Sequence, residues 1–321
     1  MKVLVVGLFT VAMAAGLVAH NAAAQSASES ANALKISPVR TDVSMNPGEK
    51  KKVKITVTNP ANFDVTVRPV QNDFIAGDEN GTPALILDEN EFAPNHSLKR
   101  FMEPVENVTV PSRESKTVEL GIAVPSGAEP GGYFGALRFA PVASADGGQV
   151  NLNTSVASII LLRVNGDVPE KLDMTDFEVR KDGKEGNFFM DGNNLSVFFR
   201  FKNEGGVQLG PIGKISVVKG NEVVYETDFN NKDQRDTVLP DSARRWNVGL
   251  EGIEGFGKYT VNTTFTYGSK NQTIEVVKSF WIVPVWVMIA AGIGLLLFIG
   301  LIIALVYYFR KRSRRMSFGG R

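Results

Sequence analysis

Cysteine is absent from all 321 residues. That removes disulfides, thiolate metal sites and thiol nucleophiles together, so a hydrophobic core has to hold whatever folds. Histidine is almost as scarce: His20 lies in the first apolar run, which leaves His96. A single imidazole gives little scope for general-base chemistry and none for a two-histidine zinc site. His96 stands in the polar run Pro94-Asn-His-Ser97 and reads as a solvated loop residue. The acidic residues gather in turn-like clusters, Asp78-Glu-Asn-Gly81, Asp88-Glu-Asn-Glu91 and Asp191-Gly-Asn-Asn194. None of these has the spaced ligand series of a calcium loop, and ordinary turn residues are the simpler reading. No catalytic residue, cofactor or metal ligand is predicted.

Charge is missing from one long stretch: no Asp, Glu, Lys or Arg occurs from Ser279 to Phe309. A helix needs roughly 20 apolar residues to cross a bilayer core, so residues 280–309 are predicted to be a transmembrane helix. Trp281 and Trp286 at one edge, with Tyr307 and Tyr308 at the other, are the predicted interface residues. Arg310, Lys311, Arg312, Arg314 and Arg315 follow at once, a topology signal that retains the tail, 310–321, in the cytoplasm. Ala290 with Gly294, and Gly300 with Ala304, have the small-xxx-small spacing of a weak helix homodimer. At the other end, Lys2, an apolar run to Ala19 and Asn21-Ala-Ala-Ala24-Gln25 read as a signal peptide, 1–24, followed by a disordered leader, 25–33. Setting aside Lys2 and the six cations from Arg310 onward leaves 28 of the 35 basic residues against all 34 acidic ones. An acidic exterior argues against nucleic acid as a partner.

What remains alternates with period two. Lys51-Lys-Val-Lys-Ile-Thr-Val-Thr-Asn-Pro60 is a half-buried strand ending in a turn, and 70–76, 84–88, 106–110, 115–124, 133–142 and 155–165 read as further strands. The last is almost continuously apolar, as a strand covered on both faces would be, or a short helix. After Val168-Pro-Glu170 the pattern restarts at 195–203, then 214–218, 223–227, 243–250, 257–267 and 273–278. The predicted fold is all-β: two immunoglobulin-like β-sandwiches, 34–167 and 168–279, and one C-terminal transmembrane helix.

The glycines of Glu129-Pro-Gly-Gly-Tyr-Phe-Gly-Ala-Leu-Arg-Phe-Ala-Pro141 lack the spacing and the following helix that a phosphate loop needs. Gly131-Gly-Tyr133 and Gly257-Lys-Tyr259 read instead as matching bends into strands. Period two from Tyr133 puts Gly135, Leu137 and Phe139 on its side and Phe134, Ala136 and Arg138 on the other. Arg138 is the candidate ligand-binding residue.

Leu34-Lys-Ile-Ser-Pro-Val39, Asn46-Pro-Gly-Glu49, the 53–60 strand and the 124–139 run together resemble the bacterial WxL-interacting proteins and, more distantly, PapD-like immunoglobulin folds. The resemblance implies a first sandwich that binds peptidoglycan or a WxL-type surface protein, and a second that binds a partner outside the cell. With the predicted helix and basic tail and the lack of catalytic motifs, the expectation is a non-enzymatic, single-pass cell-membrane protein, mostly extracellular with a cytoplasmic C-terminus. One alternative is a chaperone or scaffold acting on exported partners by strand addition. Another is a carboxylate-dependent cell-wall hydrolase. N-terminal sequencing of the membrane-bound protein should begin at Gln25, and a sequence beginning at Met1 would refute the cleavage reading.

Overall fold

The computed structural model describes residues 33–142 and 155–316, with side chains as far as Arg310. The predicted signal peptide, almost all of the leader, the last tail residues and the side chains of Lys311, Arg312, Arg314 and Arg315 lie outside the described residues. The chain divides into two compact units: one up to Asp78 with Thr82–Pro169 and Gly206–Gln208, the other Glu170–Gly205 and Leu209 onward with Glu79–Gly81.

In the first unit, β1 (Lys35–Ser37), β2 (Arg40–Met45), β3 (Lys50–Thr58), β4 (Val65–Ala76), β5 (Pro83–Leu85), β6 (Val108–Val110), β7 (Ser115–Ala123), β8 (Gly131–Pro141) and β9 (Val156–Val164) form two sheets. One is ordered β1-β3-β7 and the other β2-β9-β8-β4-β5, with β6 on β4. The chain changes sheets between β1 and β2, at the cis Ser37–Pro38 bond, so that β1 lies antiparallel to β3 and β2 parallel to β9. Alternation decides what enters the core: Val53, Ile55, Val57, Val118, Leu120 and Ile122 from one sheet meet Val65, Val67, Leu137, Phe139, Ile160 and Leu162 from the other. β9 is a strand and not a helix. It lies between β2 and β8, which explains its nearly unbroken apolar sequence.

The second unit comprises β10 (Leu172–Lys181), β11 (Lys184–Glu185), β12 (Phe188–Phe189), β13 (Leu195–Asn203), β14 (Ile212–Lys219), β15 (Glu222–Phe229), β16 (Ala243–Gly249), β17 (Gly257–Tyr267) and β18 (Gln272–Ile282). Its sheets are ordered β11-β10-β13-β16 and β12-β18-β17-β14-β15. Rings fill the middle. Phe199 lies 4.9 Å from Phe229 and 5.1 Å from Phe265, and Phe201 lies 5.3 Å from Phe265. Edge-on and tilted ring contacts of this kind suit the ring quadrupole and bury much apolar area. β10 escapes the sequence pattern because its pairing with β13 slips between Met174 and Asp176, which breaks the period of two.

Two polar devices recur in both units. Asn59, wholly buried at the end of β3, donates to the carbonyls of Phe63 at 2.7 Å and Val110 at 3.1 Å, and accepts from the Ala61 N–H at 3.0 Å. Asn203, wholly buried at the end of β13, donates to the Val238 carbonyl at 2.8 Å and accepts from the Gly205 N–H at 2.8 Å. Each amide closes its own turn and ties it to a segment far away in the chain. The second device is a tyrosine corner. Tyr133 donates to the Glu129 carbonyl at 2.8 Å, while Tyr259 donates to those of Glu254 and, at 3.1 Å, Gly255. Gly131 and Gly257 precede them at φ +156° and +154°, a backbone that side chains rarely adopt.

α1 (Val285–Met316) follows β18, and Val285–Arg310 is long and apolar enough to cross a membrane. It starts later than the predicted 280, because 280–282 remain strand: Trp281 pairs with Lys258 and with Phe188, and Ile282 with Gly257 and Phe189. Backbone hydrogen bonding to two neighbours holds these residues extended although their sequence is as apolar as the helix. Asn59→Ala and Asn203→Ala should each lower stability by about 1–3 kcal/mol, since the buried backbone groups that each amide satisfies, the Ala61 and Gly205 N–H among them, lose that partner. Urea unfolding of the solubilised chain measures this, and an unchanged midpoint would refute it.

Candidate functional site

Arg138 lies on β8 facing away from the sandwich core, as period two predicts, with Phe134 and Ala136 on its side. That face is not bare. Val70, Phe74, Phe134, Ala136 and Leu161 on it are all buried, and Phe74 and Phe134 have their ring centres 5.9 Å apart. Arg138 is opposite Val70 in register, and its Nε donates to Asn72 Oδ1 at 3.1 Å. Asn72, wholly buried, in turn donates to the Ile86 carbonyl at 2.8 Å. The arginine is thus held by an amide that also fastens the segment after β5 to the sheet.

That segment continues through Glu89 and Phe92 to a 3-10 turn, Lys99–Phe101. Its anchor is Asp73, a wholly buried carboxylate on β4 that accepts from the backbone N–H of Ala93 at 2.9 Å and of Lys99 at 2.8 Å. Charge-assisted bonds to backbone amides are among the stronger ones, so this carboxylate fixes both ends of the 93–99 turn. Arg68 grips Glu89 through two hydrogen bonds, 2.9 and 2.6 Å. Lys99 Nζ donates to the carbonyls of Glu89 at 2.6 Å and Glu91 at 2.9 Å. The Phe92 ring, 42% exposed, carries Lys99 Nζ 4.6 Å and the Arg100 guanidinium 5.2 Å from its centre. The outcome is a surface with the exposed Phe92 ring, two cations over it, the Arg68–Glu89 ion pair and an exposed Leu87. Such a surface can hold a polymer that bears hydroxyls, apolar sugar faces and carboxylates.

His96 is not the solvated loop residue expected. Its Nδ1 is 2.6 Å from the Gly132 carbonyl, and its ring centre lies 5.8 Å from Phe134 and 6.4 Å from Tyr133. The backbone explains this: the His96 carbonyl accepts from Phe134 N–H at 2.8 Å, and Ser97 forms a bridge to Phe134, so the loop runs alongside β8. The acidic turns do what turn residues do. Asp88 accepts from Asn90 N–H and Asp191 from Asn193 N–H, at 2.8 and 2.9 Å. Among the described residues no three His, Asp or Glu side chains gather to hold a metal ion.

Of the predicted interface residues, Trp281 is on β18, while Trp286, Tyr307 and Tyr308 are exposed on α1. Arg310 is the last helix residue whose side chain is described. Sequence reasoning singled out Arg138 but missed Asn72, Asp73, Glu89, Phe92 and Lys99. These residues are far apart in the chain and have no spacing that pairs them; the one available hint is an isolated aromatic, Phe92, among acidic and polar neighbours.

The Arg68 hydrogen bonds hold the Glu89 carboxyl below its ordinary range. A carboxyl depressed in the folded state contributes stability above the ordinary carboxylate range, and that contribution is lost as pH falls through the folded-state value. Arg68→Gln should therefore move the Glu89 titration upward, read by carboxyl NMR; an unmoved titration would show that the pair does not form.

Residues 41–141 match the family model described as WxL Interacting Protein, peptidoglycan binding domain. Among curated proteins none matches the chain. Solved structures similar to it include the class 5 fimbriae chaperone CfaA, at 12% identity over 78% of this chain and 100% of that one with a TM-score of 0.39. The Escherichia coli chaperone DraB is similar at 15% identity over 78% and 96%, TM-score 0.32. A PapD-like domain of human CEP192 is similar at 12% identity over 43% and 88%, TM-score 0.29. The resemblance that begins at Leu34 and runs through the strand at Val53 and the bend at Gly131 is thereby shown over residues 41–141, where the chain carries the sequence pattern of a WxL-interacting-protein domain.

Proposed function

We propose that the chain is a non-enzymatic surface-binding protein whose first unit holds cell-wall peptidoglycan. The match of residues 41–141 to a model described as peptidoglycan-binding carries this reading. The surface around Phe92 supplies chemistry that suits it. An exposed ring offers a face to the C–H groups of a sugar, and Arg100 and Arg138 offer donors to the carboxylates of the attached peptides, while Arg68 and Lys99 hold the segment that carries the ring. α1 anchors the protein in the membrane, with the units outside the cell and the basic tail in the cytoplasm.

Co-sedimentation of the detergent-solubilised full chain with purified wall sacculi tests the proposal. Wild type should sediment, and Phe92→Ala and Arg138→Ala should each weaken binding by roughly fivefold or more, about 1 kcal/mol. Failure of the wild type to sediment, or binding to an extended peptide alone, would refute peptidoglycan as the ligand and favour strand addition. Release of soluble sugar from the sacculi would refute the non-enzymatic reading.

A further inference from the structure

The second unit exposes large apolar side chains at one end. Phe188 is 71% exposed, Met190 59%, Phe256 48% and Trp281 37%. They come from three segments that the backbone brings together. Phe188 is in register with Trp281 in the parallel pairing of β12 and β18, and the Phe256 and Trp281 ring centres are 6.3 Å apart. The loops carrying Met190 and Phe256 are also fastened to each other. Ile253 is buried, and Gly192 approaches its carbonyl so closely that a Cβ would have no room.

This end is the one from which α1 departs. The last residue of β18 is Ile282 and the first of α1 is Val285, and no slack lies between them. Val283 N–H donates to the Phe189 carbonyl at 2.7 Å, and Val287 N–H to the Pro284 carbonyl at 2.9 Å. Two linking residues reach at most about 7 Å. The interfacial layer on each side of a roughly 30 Å hydrocarbon core is itself about 5–8 Å deep. Once α1 spans the bilayer, the rim of the sandwich around Trp281 has to lie at that layer.

We propose that this rim is a membrane-docking surface, with Phe188, Met190, Phe256 and Trp281 seated in the interfacial layer of the leaflet on the sandwich side. The proposal rests on reading α1 as a membrane span. Amphipathic rings favour the headgroup level, where one edge meets apolar chains and the other meets water. Lys258, exposed and in register with Trp281, can extend its stem along the rings and place its ammonium among lipid phosphates. Glu251 and Glu254, exposed in the neighbouring loop, stay in water and limit how deep the rim sits. Continuity with the helix is what selects lipid as the occupant over a protein partner.

The absence of cysteine allows a direct test, since any introduced thiol is the sole labelling site. Phe188→Cys, Phe256→Cys, Lys270→Cys and Leu297→Cys in the full chain would each carry an environment-sensitive nitrobenzoxadiazole probe. The labelled proteins are placed in phosphatidylcholine–phosphatidylglycerol vesicles containing lipids with a nitroxide at either the headgroup or mid-chain. Lys270 is in the turn at the far end of the 11-residue β18, roughly 35 Å away. Headgroup nitroxide should quench the probes at 188 and 256 several times more than the one at 270, while mid-chain nitroxide quenches the one at 297. Equal quenching at 188, 256 and 270 with a deep signal at 297 would overturn the proposal and leave the span intact. No mid-chain quenching at 297 would overturn the span and the proposal with it.

Discussion

A buried asparagine amide sits at the end of a core strand in each unit, and the rest of each sandwich is arranged around it. Asn59 and Asn203 both accept from the N–H two residues on, and both donate to carbonyls in segments some 35 to 51 positions away. In a chain without disulfides, this is how a turn at one edge is tied to a strand across the core. Buried amide groups demand partners, and few arrangements satisfy all of them at once. The tyrosine corners add a second tie, from the start of β8 and of β17 back to the preceding loop. Hydrophobic burial drives the collapse of each sandwich on itself; these polar contacts select which pairing results.

The candidate site depends on the same logic one layer out. Asp73 is buried and takes two backbone amides, so the 93–99 turn cannot move independently of β4. Phe92 and Lys99 are held at the two sides of that anchor. Asn72, the preceding residue on the same strand, points to the other face and holds Arg138 and the Ile86 carbonyl. Adjacent residues on one strand therefore organise opposite faces, which is the ordinary consequence of the pleat.

At the far end of the second unit, β pairing continues until it meets the helix. Strand bonding up to Val283 and helix bonding from Pro284 onward leave little freedom at the junction. The same run of apolar residues thus serves two structures, with neighbouring strands deciding where the first ends.

Much of this fold was legible because period-two alternation is strong in 53–57, 115–123 and 257–267, where one face is buried and the other is solvated. The Gly-x-Tyr parallel was legible too, although its reason, a hydroxyl reaching back to a carbonyl, was not. β10 was hidden by a bulge, β12 by its brevity, and the end of β18 by its likeness to the helix that follows. Arg138 could be placed on a face by counting. Its partner Asn72 and the Asp73 anchor could not, because they belong to the site through cross-strand register and loop closure. Sequence by itself determined the all-β pattern, the long uncharged run and the absence of thiol chemistry, all of which are local or compositional. Only the tertiary structure decided where strand yields to helix, that His96 packs against Phe134, and which distant polar groups meet. Hydrogen-bond partners that satisfy buried groups are chosen by proximity in space, which chain order does not encode.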